Sequence, residues 1–237
     1  MKKKLSKLNI IFIVVISVLV VAVTTLTILL CYKEELSYYD MKCESFEVQN
    51  ANLSKGQIIF IGDSITDLYP LDNYYADLDL AVYNRGIGGD TTVGVKNRLD
   101  LSLFDLAPSK IVLMIGTNDI NGLRSVNDIL VTYEEIVATI YEKLPNIDLY
   151  IMSVIPQNYD LESYTNINVD NSMERINELN KGIIQIANKY NSTYFDLYSL
   201  LLDDSGMLDK NYSSDGIHLN EKGFIIWTNL IKEHLVD

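Results

Sequence analysis

Residues 57–66 read QIIFIGDSIT, an apolar run that ends at Gly62 and passes directly into polar residues. A short, continuous apolar run that stops at a glycine is typical of a strand buried on both faces of a sheet. Four more such runs follow along the chain, at 80–83, 110–115, 149–155 and 193–197. Together with residues 57–61 they predict five strands.

Longer segments between and after these strands have apolar side chains every three or four residues, the spacing of a helix that buries one face. They cover 129–144, 173–186 and 224–235. Short strands that alternate with helices indicate a parallel sheet covered on both faces. Ligands of such α/β domains bind beyond the carboxyl ends of the strands, so functional residues are expected in the turns that follow the strands.

Three of the predicted strands run into glycine-rich polar turns, and a fourth polar cluster precedes the last helix. The turns are GDSIT at 62–66, NRGIGGD at 84–90 and GTND at 116–119, and the cluster is DGIH at 215–218. Each motif alone carries little weight, because glycine-rich turns usually serve only backbone geometry. The four together, in this order and at successive strand ends, form a much more specific pattern.

In order and spacing these motifs resemble the conserved blocks of the SGNH hydrolase family, also called GDSL-like, over residues 57–235. NRGIGGDTT at 84–92 is similar to the branch that contains the catalytic subunits of platelet-activating-factor acetylhydrolase and many bacterial carbohydrate esterases. The resemblance implies a flavodoxin-like α/β fold with three layers, α/β/α, around a five-stranded parallel sheet.

The resemblance also implies which residues form the site. It assigns a catalytic triad of Ser64, Asp215 and His218, and oxyanion donors that involve Gly89 and Asn118. The chemistry favours the same triad, because a serine hydroxyl needs an imidazole base that is itself held by a carboxylate. Of the two histidines, His234 lies three residues from the C-terminus, whereas His218 follows Asp215 by three residues.

Ester hydrolysis also needs hydrogen-bond donors aimed at the oxyanion that develops during the reaction. The predicted donors are the backbone N–H groups of Ser64 and Gly89 and the side-chain amide of Asn118. Glycine suits its position because the chain must approach the substrate closely without a Cβ atom. A capping role for the segment that follows is the alternative for Asn118.

The polar residues beside these groups are predicted to support them. Asp63 and Asp90 are interpreted as turn and cap carboxylates that fix the two loops in which they lie. Arg85 has two candidate roles, either bracing Asp90 or touching the substrate. Supporting groups of this kind orient the reacting side chains without taking part in the reaction themselves.

Composition excludes several classes of function. Residues 32–237 hold all 32 acidic residues but only 15 of the 19 basic ones, which argues against binding to nucleic acid or to anionic lipid surfaces. No cysteine follows Cys43, which excludes a cysteine nucleophile or a thiolate zinc site in the main domain. No set of histidines or carboxylates has the spacing of a metal site, and no phosphate-binding loop suggests FMN, so no metal and no cofactor are expected.

The N-terminal segment predicts a membrane anchor. No charged residue occurs from 8 to 32, and four lysines precede this stretch. A helix over 10–31 would be about 33 Å long, enough for the ~30 Å hydrocarbon core. The lysines predict that a basic tail at 1–9 stays in the cytoplasm and that the rest is extracytoplasmic. A cleaved signal peptide, which would give a secreted protein, and a lipidated Cys31 are the alternatives.

The remaining chain divides into two parts. Residues 32–55 are polar with little periodicity and are predicted to be a stalk, and residues 56–237 are predicted to be the hydrolase domain. A disulfide between Cys31 and Cys43 is an option in an oxidising compartment. The oligomeric state is left open.

We therefore expect a membrane-anchored serine esterase that removes short acyl groups, first of all O-acetyl groups, from carbohydrate through an acyl-enzyme. Tyr69, Tyr74 and Tyr75 follow the serine and could stack on sugar rings. A lysophospholipase or short-chain lipid esterase is the first alternative. A non-catalytic glycan-binding module on the same fold is the second.

Overall fold

The computed structural model describes residues 12, 15–23, 37–161 and 171–236. They belong to two compact units, the first of which ends at Ser37. In that unit residues 15–23 are helical and expose their apolar side chains. None of the helices among the described residues is both long enough and apolar enough to cross a membrane. The predicted tail at 1–9 and most of the predicted anchor at 10–31 lie outside the described residues, so both stay predictions.

In the second unit, Tyr38–Asp237, the described residues form one sheet of five parallel strands, which confirms the prediction. The strands are β1 (Ile58–Gly62), β2 (Val82–Gly86), β3 (Lys110–Met114), β4 (Asp148–Met152) and β5 (Thr193–Phe195). Their order is β2-β1-β3-β4-β5, so Gly62 at the end of β1 pairs with Gly86 on one side and with Met114 on the other. The order reverses between β1 and β3, the position at which flavodoxin-like sheets bind their ligands.

Helices cover both faces of this sheet. They are α1 (Tyr38–Asn50), α2 (Ser64–Asp67), α3 (Leu71–Tyr75), α4 (Thr92–Asn97), α5 (Leu99–Ser102), α6 (Thr117–Asn121), α7 (Val126–Lys143), α8 (Ser172–Tyr190), α9 (Leu197–Leu200) and α10 (Glu221–Leu235). The apolar stripes predicted from spacing correspond to α7, α8 and α10. Helix α7 begins after Ser125, whose hydroxyl caps it by accepting from the Asp128 N–H.

The alternation of side chains along each strand divides the core into two halves. Ile59 and Ile61 of β1 pack on one face with residues of α4, α7 and α8. Ile58 and Phe60 pack on the opposite face with residues of α3 and α10, including Trp227. Successive residues of a strand point to opposite faces, so a strand with both faces buried must be apolar throughout. The result is the predicted three-layer α/β/α arrangement.

The tyrosines considered as sugar platforms belong mostly to this core. Tyr69 and Tyr75 are buried, and their hydroxyls are 2.9 Å apart. The Tyr69 ring packs against Trp227 with 4.6 Å between ring centroids. Only Tyr74 is partly exposed. The prediction that sugars stack on Tyr69 and Tyr75 is therefore wrong, because both side chains are buried on the face of the sheet that carries Ile58 and Phe60.

Strand β2 extends further than the apolar run at 80–83 predicts. Asn84, Arg85 and Gly86 continue the strand in register with β1, although two of them are polar. Their side chains find partners outside the sheet: the Asn84 amide donates to the carbonyl oxygens of Thr66 and Tyr69 at 2.7 and 3.1 Å. A strand at the sheet edge can carry such residues when their polar groups are satisfied.

Helix α1 occupies residues that the sequence predicts to be a stalk. It packs on the hydrolase domain through Phe46, which is buried, and through polar contacts with Arg85. The Arg85 guanidinium lies 4.5 Å from the centre of the Phe46 ring and donates to Gln49 Oε1 and Asn50 Oδ1 at 3.0 and 2.8 Å. Only one side chain of α1 is fully buried, so no apolar stripe marks the helix in the sequence.

Arg85 takes neither of its two candidate roles: its guanidinium anchors α1, the residue is 2% exposed, and the Asp90 carboxylate is bound by Arg98 instead. Burial is the main cause that lowers the pKa of Arg85 to about 10, with the neighbouring Arg98 contributing in the same direction. Cys43 lies half-buried on α1, whereas Cys31 lies outside the described residues. The Cys31–Cys43 disulfide therefore stays a prediction.

Candidate active site

Ser64 lies at the carboxyl end of β1, where the strand passes directly into α2. Asp63 is the N-cap of this short helix, since its Oδ1 accepts from the Ile65 N–H at 3.0 Å. Aspartate is among the preferred N-cap residues because its side chain satisfies an N–H that has no partner within the helix. The cap makes Ser64 the first helical residue and leaves it only half-buried.

The structure brings the three predicted triad residues into one hydrogen-bonded series. Ser64 Oγ lies 2.8 Å from His218 Nε2, and His218 Nδ1 lies 2.6 Å from Asp215 Oδ2. With Nδ1–H donating to the carboxylate, Nε2 is left as the acceptor for the serine hydroxyl. This is the arrangement in which an imidazole can take the proton of a serine.

The Asp215 carboxylate is held by its own turn as well as by the imidazole. Its Oδ1 accepts the backbone N–H groups of Ile217 and His218 at 2.9 and 2.8 Å. Burial alone would raise the pKa of Asp215, but the hydrogen bonds from His218 and from these backbone groups outweigh it and lower the pKa. The carboxylate is therefore charged at neutral pH, as an orienting partner for histidine must be.

The turn that carries Asp215 and His218 is fixed by two further contacts. Gly216 has φ +84, which a residue without Cβ adopts readily. Its N–H donates to Ser213 Oγ at 2.9 Å, and its carbonyl accepts from the Asn158 N–H at 2.9 Å. Asn158 follows β4 and is buried, so the loop after the fourth strand supports the turn.

Two of the predicted oxyanion donors, Gly89 and Asn118, lie beyond the carboxyl ends of β2 and β3, the two strands that pair with β1. Gly89 has φ +80, and an added Cβ there would meet no atom within 4 Å. In the described part of the chain the N–H groups of Ser64 and Gly89 donate to no other protein group. The Asn118 amide donates to the Asp90 carbonyl at 2.9 Å. An amide has two N–H donors, so one remains for a substrate.

Asn118 does not take the capping role that was its alternative. It lies inside α6, whose N-cap is Gly116. Its bond to the Asp90 carbonyl joins the loop after β3 to the loop after β2. Asn118 therefore connects the two loops that carry predicted oxyanion donors.

A buried ion pair that sequence reasoning did not find supports the first two loops. Asp90 Oδ2 accepts from Arg98 Nε at 2.8 Å, and each side chain is 2% exposed. Arg98 also donates to the carbonyl oxygens of Gly62 and Arg85 at 3.0 and 2.8 Å, at the ends of β1 and β2. Burial raises the pKa of Asp90, and the charge of Arg98 opposes this. The Asp90 side chain is thus bound to an arginine that follows α4.

A second carboxylate, Asp119, ties the third turn to the second. Its Oδ2 accepts the Thr92 N–H and its Oδ1 accepts the Thr92 hydroxyl, both at 2.8 Å. Arg124 donates to the same Oδ1 at 2.9 Å. Asp119 is the residue after Asn118, so these contacts fix the position of the predicted oxyanion amide. Asp119 lies in the GTND motif, but the motif alone indicates no role for it, and nothing in the sequence distinguishes Arg98 from an ordinary helix residue.

The described residues contain no group of three or more histidine, cysteine, aspartate or glutamate side chains that could hold a metal ion. The site itself is built from serine, histidine, carboxylate and amide groups. These groups lie together at the carboxyl ends of β1, β2 and β3 and in the turn before α10. This combination is suited to attack on an acyl carbon.

Comparison with protein families shows to which family the chain belongs. Residues 60–224 match the GDSL-like lipase/acylhydrolase family. The chain belongs to this family. It is therefore a carboxylic ester hydrolase, as the motifs predict. No protein of curated function matches the chain by sequence.

Solved structures of GDSL-like hydrolases resemble the chain over most of its length. A Streptococcus pneumoniae protein provisionally described as a platelet activating factor is 29% identical, with a TM-score of 0.78 over 89% of this chain and 99% of its own. A provisionally assigned acylhydrolase from Bacteroides fragilis is 23% identical, with a TM-score of 0.72 over 85% and 98%. An acetylxylan esterase from Geobacillus stearothermophilus is 19% identical, with a TM-score of 0.59 over 77% and 94%. The last two likenesses show that the fold is shared.

The carboxyl beside the serine predicts a pH dependence of stability. Burial raises the pKa of Asp63 from 3.8 to about 7, against the lowering effect of the Ile65 N–H. Its Oδ2 has no hydrogen-bond partner among the described residues. A raised pKa means that the folded state binds the proton more tightly. The contribution of the Asp63 carboxyl to the unfolding free energy is therefore complete below about pH 4 and is lost as the pH rises towards 7.

Asp63→Asn keeps an oxygen for the Ile65 N–H but has no proton to lose. We expect its unfolding free energy, relative to that of the native protein, to rise by roughly 2 to 4 kcal/mol as the pH is raised from about 4 to about 8. Urea denaturation of the full-length proteins at a series of pH values measures this difference. Asp72→Asn, at an exposed position, controls for the loss of a carboxylate. A difference that stays constant with pH would contradict the raised pKa of Asp63.

Proposed function

We propose that the protein is a serine esterase that removes short acyl groups, acetyl first, from carbohydrate, with Ser64, His218 and Asp215 as its catalytic triad. The observation that carries the proposal is the continuous hydrogen-bonded series from Ser64 Oγ through His218 to Asp215, at 2.8 and 2.6 Å. A half-buried serine hydroxyl at the start of a helix has no structural need for an imidazole and a carboxylate in line. A nucleophile does.

In the first step Ser64 Oγ attacks the ester carbonyl carbon while His218 Nε2 accepts the hydroxyl proton. The tetrahedral intermediate then collapses, and the protonated imidazole gives its proton to the departing alcohol. The acyl group stays on Ser64 as an ester. Asp215 stabilises the imidazolium during this step, because its carboxylate is charged and bonded to Nδ1.

In the second step a water molecule attacks the acyl-serine while His218 accepts the proton of the water. Collapse of the second intermediate returns a proton from His218 to Ser64 Oγ and releases the carboxylic acid. In both steps the negative oxygen is bound by the N–H groups of Ser64 and Gly89 and by the free N–H of Asn118. Such donors stabilise charge that develops only in the transition state.

Two lines of support favour carbohydrate as the alcohol portion. One of the structural neighbours is an acetylxylan esterase. The proposed extracytoplasmic position would also expose the site to wall or capsular polysaccharide. The lipid alternative, a lysophospholipase or short-chain lipid esterase, is supported by the proposed nearness of the site to a membrane. Activity on acetylated glycan but not on lysolipid separates the two.

The proposed location rests on the N-terminal segment of the sequence. We propose that residues 10–31 form a helix that spans the membrane once, with the basic tail at 1–9 in the cytoplasm. The uncharged stretch from 8 to 32 is long enough for a bilayer, and the lysines before it favour this orientation. Protease protection of the tail, but not of the hydrolase domain, in intact cells would test the proposed orientation.

Hydrolysis of p-nitrophenyl acetate, butyrate and octanoate by the full-length protein tests the reaction and the acyl preference together. We expect turnover that is abolished in Ser64→Ala and that falls steeply from acetate to octanoate. Release of acetate from acetylated glycan, but not from lysolipid, would then support the carbohydrate proposal. A preference for octanoate would favour the lipid alternative. Undiminished turnover by Ser64→Ala would contradict the proposed mechanism.

Asn118→Ala tests the third oxyanion donor. We expect kcat to fall about 10²- to 10³-fold, as the loss of one such donor does in other hydrolases. The bond to the Asp90 carbonyl is lost as well, which should cost only about 1 kcal/mol of unfolding free energy. The matched control is Asn127→Ala at an exposed position on α7. Unchanged kcat in Asn118→Ala would remove this amide from the oxyanion hole.

A further inference from the structure

Asp67 connects three elements around the proposed site. It is the last residue of α2 and follows Ser64 by three residues. Its Oδ2 accepts from the Tyr38 hydroxyl at 2.7 Å and from the Gly88 N–H at 3.0 Å, and its Oδ1 accepts from Lys42 Nζ at 2.7 Å. Tyr38 and Lys42 belong to α1, and Gly88 belongs to the loop after β2. The side chain of Asp67 is only 12% exposed.

The Gly88 contact bears directly on the proposed oxyanion hole. The peptide bond that joins Gly88 to Gly89 carries the Gly89 N–H, and two successive glycines leave its orientation poorly determined by the backbone alone. On one side of this bond the Gly88 N–H is fixed by Asp67 at 3.0 Å. On the other side the Asp90 N–H is fixed by the Ile87 carbonyl at 3.1 Å. The two bonds together restrict where the Gly89 N–H points.

Helix α1 also supports this loop by direct contact. A Cβ added to Gly88 would lie 3.3 Å from Cε1 of the Tyr38 ring, so the ring lies against the backbone of the loop. The hydrogen bond to Asp67 is the main cause that raises the pKa of Tyr38. The phenol therefore remains a protonated donor throughout the neutral range. Tyr38 thus contacts Gly88 with its ring and holds the Asp67 carboxylate with its hydroxyl.

We propose that Asp67, held by Tyr38 and Lys42, is a positioning residue for the Gly89 oxyanion donor, and that α1 is therefore part of the catalytic unit. This inference rests on the proposed function and deepens it. Helix α1 precedes residues 60–224, over which the chain matches its family. Activity thus depends on α1, which lies outside the family match and comes soon after the predicted anchor at 10–31.

The test is a set of substitutions in the full-length protein, with kcat and KM for p-nitrophenyl acetate and the melting temperature measured for each. We expect Asp67→Ala to lower kcat about 10- to 100-fold, because a small misplacement of a catalytic group is costly. KM should change less than about threefold, since the donor acts mainly on the transition state. Asp67→Asn, which retains an acceptor for the Gly88 N–H, should recover part of this loss.

Tyr38→Phe removes only the hydroxyl and should lower kcat roughly three- to tenfold, as expected for one hydrogen bond. Tyr39→Phe is the matched control, because its hydroxyl donates to the Gly94 carbonyl from the same helix. It should leave kcat within about twofold. The double variant Tyr38→Phe/Asp67→Ala should be no slower than Asp67→Ala alone, because Tyr38 acts through Asp67.

Three results would overturn the inference. The first is native kcat in Asp67→Ala, or, if that variant does not fold, native kcat in both Asp67→Asn and Tyr38→Phe. The second is an equal loss in Tyr38→Phe and Tyr39→Phe, which would indicate a general effect of α1 docking. The third is a double variant whose fold-loss in kcat equals the product of the fold-losses of the two single variants. Ser64→Ala keeps the two proposals apart: if it is inactive while the Asp67 variants are fully active, only the inference fails.

Discussion

The ion pair between Asp90 and Arg98 is the contact on which the geometry of the site depends most. Both side chains are 2% exposed, and the guanidinium reaches the ends of β1 and β2 as well as the carboxylate. Removal of either partner would leave a buried charge without compensation, a change that usually costs about 3–5 kcal/mol. The Asn118 amide binds the Asp90 carbonyl, so the same pair also determines where the third strand-end loop lies.

The triad depends on this framework although it does not contact Arg98 directly. Ser64 follows Gly62, whose carbonyl is bound by Arg98, and it forms the first residue of a helix capped by Asp63. His218 comes from a turn at the opposite end of the domain sequence and is held by its own carboxylate. Catalysis by pre-oriented dipoles requires that such groups do not move when charge develops. The buried contacts supply this rigidity, and the reacting groups stay partly exposed.

The sequence is informative where local pattern and chemistry coincide. Continuous apolar runs identify all five strands, since the strands of a sheet covered on both faces are largely apolar. The polar motifs at three strand ends and before α10 contain the residues that the structure brings together. The sequence is uninformative where a role depends on distant partners. Arg98 looks like an ordinary helix residue, although it forms the buried ion pair. Strand β2 continues through Asn84 and Arg85 because the polar groups of their side chains have partners outside the sheet. Helix α1 buries only Phe46 completely. Polar docking of this kind leaves no periodic signal.

Covalent labelling can establish whether Ser64 is a nucleophile activated by His218. A fluorophosphonate ester reacts when a serine oxygen attacks phosphorus and displaces fluoride, so the adduct is retained and can be located by peptide mass mapping. We expect one adduct, on Ser64 of the full-length protein, and its loss in a folded His218→Asn variant. If the folded native protein stays unlabelled, or if Ser64→Ala is labelled to the same extent, Ser64 is not the activated nucleophile.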